Sequence, residues 1–94
     1  MNVKGFIWRD DIIDKLQWKH HVEVDEVQEV FANKPRVVRL ERGKYQGEDV
    51  YAAFGQTDNG RYLTIIFIHK KSGKALINTA RDMSNSERKQ YGRK

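Results

Sequence analysis

The fold is decided by Asp58-Asn-Gly-Arg-Tyr-Leu-Thr-Ile-Ile-Phe-Ile-His69, in which a turn signal is followed by a long apolar run. Asn59-Gly60 is typical of a type I′ hairpin, because both central residues of that turn need a positive φ. The strand that follows, predicted over 61–69, carries apolar side chains on both faces and therefore belongs near the middle of a sheet.

Further strands are predicted on both sides of this hairpin. β-rich segments at 36–41 and 49–57 precede it, and Lys70-Lys-Ser-Gly73 supplies a turn into a last long strand at 74–80. Near the N-terminus, Gly5-Phe-Ile-Trp8 is predicted to form a short edge strand. The sheet is therefore expected to be mainly antiparallel.

Two helices are predicted between the edge strand and the sheet. Asp10 or Asp11 can cap the first, because a carboxylate accepts from free backbone N–H groups. His20 lies on the apolar face of this helix. The second helix has apolar residues at three- and four-residue spacing along 24–31 and ends before Pro35.

A third helix closes the chain. Ser84 and Glu87 have capping-box spacing and predict a helix that runs to about Tyr91. The predicted order is β-α-α-β-β-β-β-α, an α+β fold with a mainly antiparallel sheet packed by helices. Because a chain of 94 residues supports one modest core, we expect residues 1–94 to form a single domain.

The charge of the chain is unevenly distributed. A net charge of +5 and a pI near 9.6 suit a polyanionic partner. Residues 1–35 are rich in acidic side chains, whereas residues 70–94 are strongly basic, with Asp82 and Glu87 as their only acids. This asymmetry is typical of a face that meets a nucleic-acid backbone or an acidic protein, and equally of a solvated terminal helix.

The composition argues against several classes of protein. The chain has no cysteine, which excludes disulfides and thiolate metal sites. Its apolar runs are shorter than the roughly 18 residues of a membrane span, and a signal-peptide core is missing, so we expect a cytoplasmic protein with no membrane contact. The glycines form no phosphate loop, and the spacing of the three histidines does not suit zinc.

Arg81 is the strongest candidate for a functional side chain. It lies between the last predicted strand and the last helix, where a guanidinium suits a phosphate. The alternative is an arginine that pairs with Glu87 or caps the strand. A nuclease without a metal must activate an attacking oxygen, stabilise the phosphoryl group and protonate the leaving oxygen. The candidate catalytic residues are Arg81, His69, His20 and Tyr91, and the candidate RNA-binding residues are Arg61, Lys70, Lys71, Lys74, Arg88 and Lys89.

Several of these side chains have structural alternatives. His20 suits a hydrogen-bonded place on the apolar helix face, and His69 suits the surface at a strand end. Tyr91 is expected to pack its ring on the sheet. Trp8 and Trp18 could stack bases, but in a small domain we expect both to fill the core.

A set of short segments, in this order and spacing, is specific for one family. They are Phe6-Ile-Trp8, Lys19-His-His-Val22, Glu29-Val-Phe31, Tyr45-Gln-Gly-Glu48, Gly55-Gln-Thr-Asp-Asn-Gly-Arg61 and Thr79-Ala-Arg-Asp-Met-Ser84, with Glu87, Arg88 and Tyr91 after them. On these residues the chain resembles the BrnT-type toxins of bacterial toxin–antitoxin pairs, within the RelE/ParE-like superfamily. The resemblance covers nearly the whole chain.

The resemblance implies a compact antiparallel sheet with two N-terminal helices and a ribonuclease activity that halts translation. It implies no metal and no other cofactor. The implied partner is a cognate antitoxin with a ribbon-helix-helix DNA-binding part (BrnA-like), so that DNA is contacted only indirectly.

By position, the resemblance matches Arg81 to the arginine of the closing motif, His20 to the Lys-His junction and His69 to the end of the central strand. The chain departs from the family pattern at two positions. His21 replaces a glycine that eases the exit from the first helix, which histidine can tolerate. Asp82 stands where many members have a basic residue, which weakens the positive potential beside Arg81.

We therefore predict a metal-independent endoribonuclease toxin that cleaves RNA and arrests translation. The alternative is a non-catalytic binding module, either a degenerate toxin that acts as a co-repressor with its antitoxin or a poison of a protein target such as gyrase. We expect the antitoxin to contact the sheet and the region of Arg81, with its capture accelerated by the basic charge of residues 70–94. The alternative is inhibition at a remote face, with the acidic N-terminal helices as the contact.

Overall fold

The computed structural model describes residues 1–43 and 48–92. Its elements are β1 (Gly5–Ile7), α1 (Asp10–His20), α2 (Val24–Ala32), β2 (Arg36–Glu41), β3 (Val50–Gln56), β4 (Tyr62–His69), β5 (Lys74–Asp82) and α3 (Asn85–Gly92). The predicted order of elements is confirmed. The loop at Tyr45-Gln-Gly47 and the basic residues Arg93 and Lys94 lie outside the described residues.

The five strands form one sheet in the order β1-β5-β4-β3-β2. β4 is central and β1 is at an edge, as predicted. β1 pairs parallel to β5, and the other three pairings are antiparallel. β5 extends to Asp82, two residues beyond the predicted end at Ala80, so Arg81 lies within the strand and its position is set by strand pairing.

The hairpin at Asn59-Gly60 forms as predicted, but its turn is not type I′. Gly60 has a φ of 86°, whereas Asn59 does not have a positive φ. The Gly60 N–H donates to Thr57 O at 2.9 Å, and the Thr57 N–H donates to Arg61 O at 2.9 Å. The loop therefore has three residues, and one left-handed glycine is enough to match the twist of the strands.

The turn predicted at Lys70-Lys-Ser-Gly73 has the same geometry. Gly73 has a φ of 89°, and its N–H donates to Lys70 O at 2.9 Å. The Lys70 N–H donates to Lys74 O at 2.9 Å. Both hairpins of the central strand are thus closed by a glycine bulge.

The hydrophobic core lies between the sheet and the first two helices. β4 places Leu63, Ile65 and Phe67 on this face, all completely buried. Leu16 of α1 and Val30 of α2 belong to the same cluster. The strict alternation along β4 therefore assigns one face of the sheet to α1 and α2.

α3 lies on the opposite face of the sheet. Its Tyr91 ring meets the Tyr62 ring edge-on, with 6.0 Å between centroids, and Thr64 Oγ1 donates to Glu87 Oε1 at 3.0 Å. Within this described helix no residue is buried. Ring and polar contacts therefore hold α3 on the sheet, rather than a hydrophobic core.

The ends of α1 differ in part from expectation. The predicted cap by Asp10 or Asp11 is wrong: the N-cap is Arg9, without a side-chain cap bond among the described residues. Both aspartates lie in the first turn, where their charge complements the helix dipole. His21 ends the helix in the left-handed conformation, with a φ of 54°. The histidine therefore adopts the conformation for which the family pattern has a glycine. Trp18 is 71% exposed, so the expectation that it fills the core is wrong.

None of the helices in the described part of the chain is long and apolar enough to cross a membrane.

Gly55 provides a test of the packing between α2 and the sheet. A Cβ at this position would lie 2.9 Å from Val30 Cγ1 and 3.2 Å from Pro35 Cβ. Val30 is completely buried and branched, so we expect Gly55→Ala to destabilise the protein by about 1–3 kcal/mol. Urea unfolding measures the effect. Gly5→Ala in β1 is the matched control, because its Cβ would approach Lys74 no closer than 3.8 Å; equal effects of the two changes would contradict this packing.

Candidate functional site

Arg81 lies in β5 opposite Thr64, and its side chain is on the face that carries α3. Nη1 and Nη2 donate to Glu87 Oε1 at 2.8 Å and to Oε2 at 2.9 Å, and Nη1 also donates to the backbone carbonyl of Asp82 at 3.2 Å. This bidentate contact fixes the plane of the guanidinium. The Arg81 side chain remains 39% exposed, so an anion can reach it from solvent.

Glu87 connects Arg81 to the start of α3. Its Oε1 also accepts from Thr64 Oγ1 at 3.0 Å and from the Ser84 N–H at 2.9 Å, and its own N–H donates to Ser84 Oγ at 3.2 Å. The predicted capping box is therefore confirmed. The hydrogen bonds from Arg81 above all, with those from Ser84 and Thr64, hold the pKa of Glu87 at about 2. One carboxylate thus begins the helix and orients the arginine.

This pKa gives a prediction for stability against pH. Because the pKa of Glu87 is lowered from 4.5 to about 2 on folding, its contribution to stability is complete above pH 4.5 and is lost as the pH falls toward 2. We expect wild type to be more stable than Glu87→Gln at neutral pH, with a difference that shrinks over that interval. Urea unfolding across the acid range checks this. A difference that does not change with pH would show that the charge of Glu87 has no part in it.

Further cations and rings surround Arg81. The Arg88 guanidinium lies 4.2 Å above the centroid of the Tyr62 ring. Arg36 lies in the same cross-strand row as Arg81, through Phe54 and Thr64, and its Nη1 donates to the carbonyl of Gln90 in α3 at 3.2 Å. The arginines therefore lie along one end of the sheet on the α3 face.

Two grooves border α3. One, of about 160 Å³, lies between α3 and the sheet and is lined by Arg36, Val38, Phe54, Glu87, Gln90 and Tyr91. The other, of about 420 Å³, is more open and is lined by Gln56, Tyr62, Arg88, Lys89, Tyr91 and Gly92. Tyr91 thus lines both grooves, and the candidate residues Arg88 and Lys89 line the second.

His20 ends α1 on the core face of the sheet, and its backbone carbonyl accepts from Arg61, which also bonds the Asp82 carboxylate. It therefore lies at the same end of the sheet as Arg81, although the Arg81 side chain is on the other face. Burial lowers the pKa of the His20 imidazole, and the positive charges of Lys19 and Lys15 lower it further. The charge of Arg81 contributes in the same direction, while Asp82 opposes it. A lowered pKa favours the neutral imidazole near neutral pH, which is the form that can accept a proton.

Arg61, a candidate RNA-binding residue, is bonded inside the fold. Its Nη1 donates to His21 O at 2.7 Å and to Glu26 Oε1 at 3.1 Å, its Nη2 donates to His20 O at 3.1 Å, and its Nε donates to Asp82 Oδ1 at 2.8 Å. The side chain is 27% exposed. Arg61 therefore joins the α1–α2 junction to the start of β4 and the end of β5.

Asp82 belongs to this cluster rather than to the face of Arg81. Asp82 lies opposite Leu63, on the face that carries α1 and α2. The hydrogen bond from Arg61 is the main cause of the lowered pKa of the Asp82 carboxyl. The carboxylate at this position is thus paired with Arg61, and its bond to Arg81 is made through the backbone carbonyl.

His69 lies at the other end of β4. It is five positions beyond Thr64, the residue opposite Arg81, which is roughly 17 Å along the strand. Its ring packs edge-on against Tyr51, and its buried Nε2 has no hydrogen-bond partner in the described part of the chain. His69 is also on the core face, so the structure does not bring it together with Arg81.

Lys70, Lys71 and Lys74 accompany His69. All three belong to the turn and strand start after β4. Lys70 forms an ion pair with Glu48, while Lys71 and Lys74 are exposed. The basic residues predicted as one surface are therefore divided between the two ends of the sheet.

Two members of the site were not singled out from the sequence. They are Thr64 and Tyr62. In the sequence, Thr64 is a single polar residue within an apolar strand and Tyr62 belongs to the same strand, so neither indicates a functional site. The capping-box spacing from Ser84 predicts Glu87 as a helix cap and makes it a possible partner of Arg81. Cross-strand pairing, which brings Thr64 and Arg81 together, leaves no local signal in the sequence.

Within residues 1–43 and 48–92, no group of three or more histidine, aspartate or glutamate side chains is arranged to hold a metal ion.

The fold and the site define a class: a small basic α+β protein with an oriented, solvent-accessible arginine at one end of its sheet. Comparison with protein families gives the particular family. Residues 8–87 match the ribonuclease toxin BrnT, of type II toxin–antitoxin systems. The chain therefore belongs to the BrnT family, whose members are ribonuclease toxins paired with an antitoxin. A comparison with curated proteins found no match.

Proposed function

We propose that this protein is a metal-independent endoribonuclease toxin that arrests translation, with Arg81 at its reacting centre. The observation that carries the proposal is the guanidinium of Arg81, which is oriented by Glu87 and still reachable from solvent in a member of a ribonuclease toxin family. Donors held in place before the reaction stabilise the charge that develops on a phosphoryl group. We further propose a RelE/ParE-like relationship and a cytoplasmic location.

The proposed chemistry uses groups at the same end of the sheet as Arg81. Neutral His20 takes the proton of a ribose 2′-hydroxyl, the 2′-oxygen bonds to the adjacent phosphorus, and the bond to the 5′-oxygen of the next nucleotide breaks. The leaving 5′-oxygen takes a proton from Tyr91 or from water. Arg81 stabilises the phosphoryl oxygens during this exchange, and Arg88 and Lys89 hold the flanking RNA backbone.

The remaining candidates are assigned other roles. His69 is left out of the reacting centre because it lies at the other end of β4, five positions from the residue opposite Arg81. We propose that exposed Lys71 and Lys74 contact RNA at a distance from the cut. We propose that Arg61 stabilises the fold and does not contact RNA. Its donors are bonded to His20, His21, Glu26 and Asp82.

The test is RNA cleavage by purified protein in the presence of a chelator. We expect the RNA to be cut, and DNA of the same sequence to remain intact because it lacks the 2′-hydroxyl. In cells, induction is expected to stop amino-acid incorporation before nucleotide incorporation. RNA that remains intact over a wide range of enzyme concentration would overturn the catalytic proposal, and cleavage that requires an added divalent ion would overturn metal independence.

A second candidate function is a non-catalytic binding module. It is favoured by one observation: both Nη atoms of Arg81 already donate hydrogen bonds to the Glu87 carboxylate, so a phosphate would have to share these donors. In this case the protein acts as a co-repressor with its antitoxin, or it poisons a protein such as gyrase. An intact complex without RNA cleavage and without growth arrest would favour the co-repressor, while arrest with DNA damage and stable RNA would favour the poison.

We propose that the antitoxin carries a ribbon-helix-helix part, so that this protein contacts DNA only through its partner. Family membership supports a cognate antitoxin. The reading frame adjacent to this gene is the direct test. A small protein with a ribbon-helix-helix pattern is expected there, and another DNA-binding pattern would contradict this part of the proposal.

A further inference from the structure

The sheet face that carries α3 is covered over only part of its length. Beyond α3, the strands place two rows of apolar side chains on this face. They are Val38, Val50, Ala52, Ile66, Ile68 and Leu76, and we call them the open face. Val38 is 39% exposed, and Leu40, in the bulge beside it, is 53% exposed. Val50, Ile66, Ile68 and Leu76 are half-buried, and Ala52 between them is buried. An apolar face that is partly open to solvent along an exposed edge of this kind is a candidate for contact with another molecule.

One end of the open face runs into the smaller groove beside α3. The groove has a volume of about 160 Å³ and is lined by Val38, Phe54 and Tyr91, with Arg36 at its rim. This volume suits one aliphatic or aromatic side chain, and pockets of this kind accept the anchor residue of a partner.

The charges around the open face are mainly positive. Lys74 and Arg36 lie at its borders, and Arg88 and Lys89 lie on α3. Acids described near this face include Glu41 at the β2 edge, Glu48, which is paired with Lys70, and Glu87, which is paired with Arg81. A partner that fits this surface has apolar residues for the floor and carboxylates for the rim.

A protein segment fits the floor better than RNA does. Bases bind to sheet surfaces by stacking on aromatic rings, while phosphates need cations. The open face consists of aliphatic side chains, and the Tyr62 ring nearby is covered by Arg88. Its chemistry is therefore that of a protein interface with an apolar centre and a charged rim.

We propose that the open face binds the antitoxin through an acidic amphipathic segment, with one apolar side chain anchored in the groove beside α3. This inference rests on the proposed function, because it identifies the surface by which the toxin is captured. The bound segment lies beside Arg81, so it blocks approach of RNA without touching the core face of the sheet.

The test compares two changes of exposed apolar residues on opposite faces. The double variant Val38→Glu with Leu40→Glu places two negative charges on the open face. Trp18→Glu is the matched control, because Trp18 is 71% exposed on α1, on the other side of the sheet. The binding partner is the purified antitoxin encoded by the adjacent reading frame, and thermal unfolding confirms that each variant is folded.

We expect the double variant to bind the antitoxin roughly hundredfold more weakly, and Trp18→Glu to bind within about threefold of wild type. Arg36→Glu should slow association and make it less sensitive to salt. RNA cleavage by the folded double variant is expected to match that of wild type. Unchanged antitoxin affinity of the double variant, or an equal loss in Trp18→Glu, would overturn the proposal.

The outcomes separate this inference from the proposed function. If the double variant loses antitoxin affinity and the wild-type protein does not cleave RNA, the open face is supported as the interface and the nuclease is rejected. Loss of RNA cleavage with full antitoxin affinity would show that RNA occupies the open face, and it would overturn the inference while the nuclease stands.

Discussion

Arg81→Ala is expected to lower the rate of RNA cleavage by about 10²–10³-fold, which is the usual effect of removing one oriented donor from a charge-stabilising site. The guanidinium is held by Glu87 on one side and is open to solvent on the other, so its removal takes away a charge that needs no rearrangement during the reaction. Single-turnover cleavage of a defined RNA measures the effect.

The change also leaves Glu87 without its main partner, so a loss of stability must be separated from a loss of chemistry. The double variant Arg81→Ala with Glu87→Gln removes the uncompensated charge and should recover stability without recovering the rate. Arg81→Lys keeps the charge but not the bidentate geometry and should be intermediate. Cleavage by folded Arg81→Ala at the wild-type rate would remove Arg81 from the reacting centre.

Arg61→Ala is expected to lower the free energy of unfolding by about 2–4 kcal/mol, because it deprives two backbone carbonyls and two carboxylates of their shared donor. The carbonyls belong to His20 and His21, and the carboxylates to Glu26 and Asp82. These groups come from three separate parts of the chain. Urea unfolding of the variant and of wild type gives the difference.

Arg9→Ala is the matched control for this prediction. Arg9 also pairs with a carboxylate, that of Asp11, but both side chains are about two-thirds exposed, at 64% and 65%. Its removal should change stability by less than about 0.5 kcal/mol, as for most exposed ion pairs. Arg61→Ala is further expected to cleave RNA normally in its folded fraction. Undiminished stability together with weaker RNA binding would instead restore Arg61 to the RNA-binding set.

The sequence predicted the elements well because their signals are local. Asn59-Gly60 located the central hairpin, and the Ser84–Glu87 spacing located α3. The type of the turn at Asn59-Gly60 was predicted wrongly. The turn type depends on where the strand ladder ends, and the ladder ends at Thr57 and Arg61, which the dipeptide alone does not reveal.

The candidate site was predicted less completely than the fold. Arg81 and His20 lie at one end of the sheet, where Arg61 bonds both the His20 carbonyl and the Asp82 carboxylate. The sequence associates His69 and the lysines after it with Arg81, because they lie in or beside the basic C-terminal part of the chain. In the sheet, β4 and β5 run antiparallel, so residues near the turn between them lie farthest from Arg81.

The sequence by itself determined the order of strands and helices, the positions of the hairpins and the capping box of α3, because each depends on the φ preferences, hydrogen bonds and apolar spacing of neighbouring residues. Tertiary structure alone decided that Arg81 faces α3 while Asp82 faces Arg61. Adjacent residues of a strand point to opposite faces, so their partners are set by what packs on each face. Those partners come from distant parts of the chain, and only the closed sheet brings their charges within hydrogen-bonding distance.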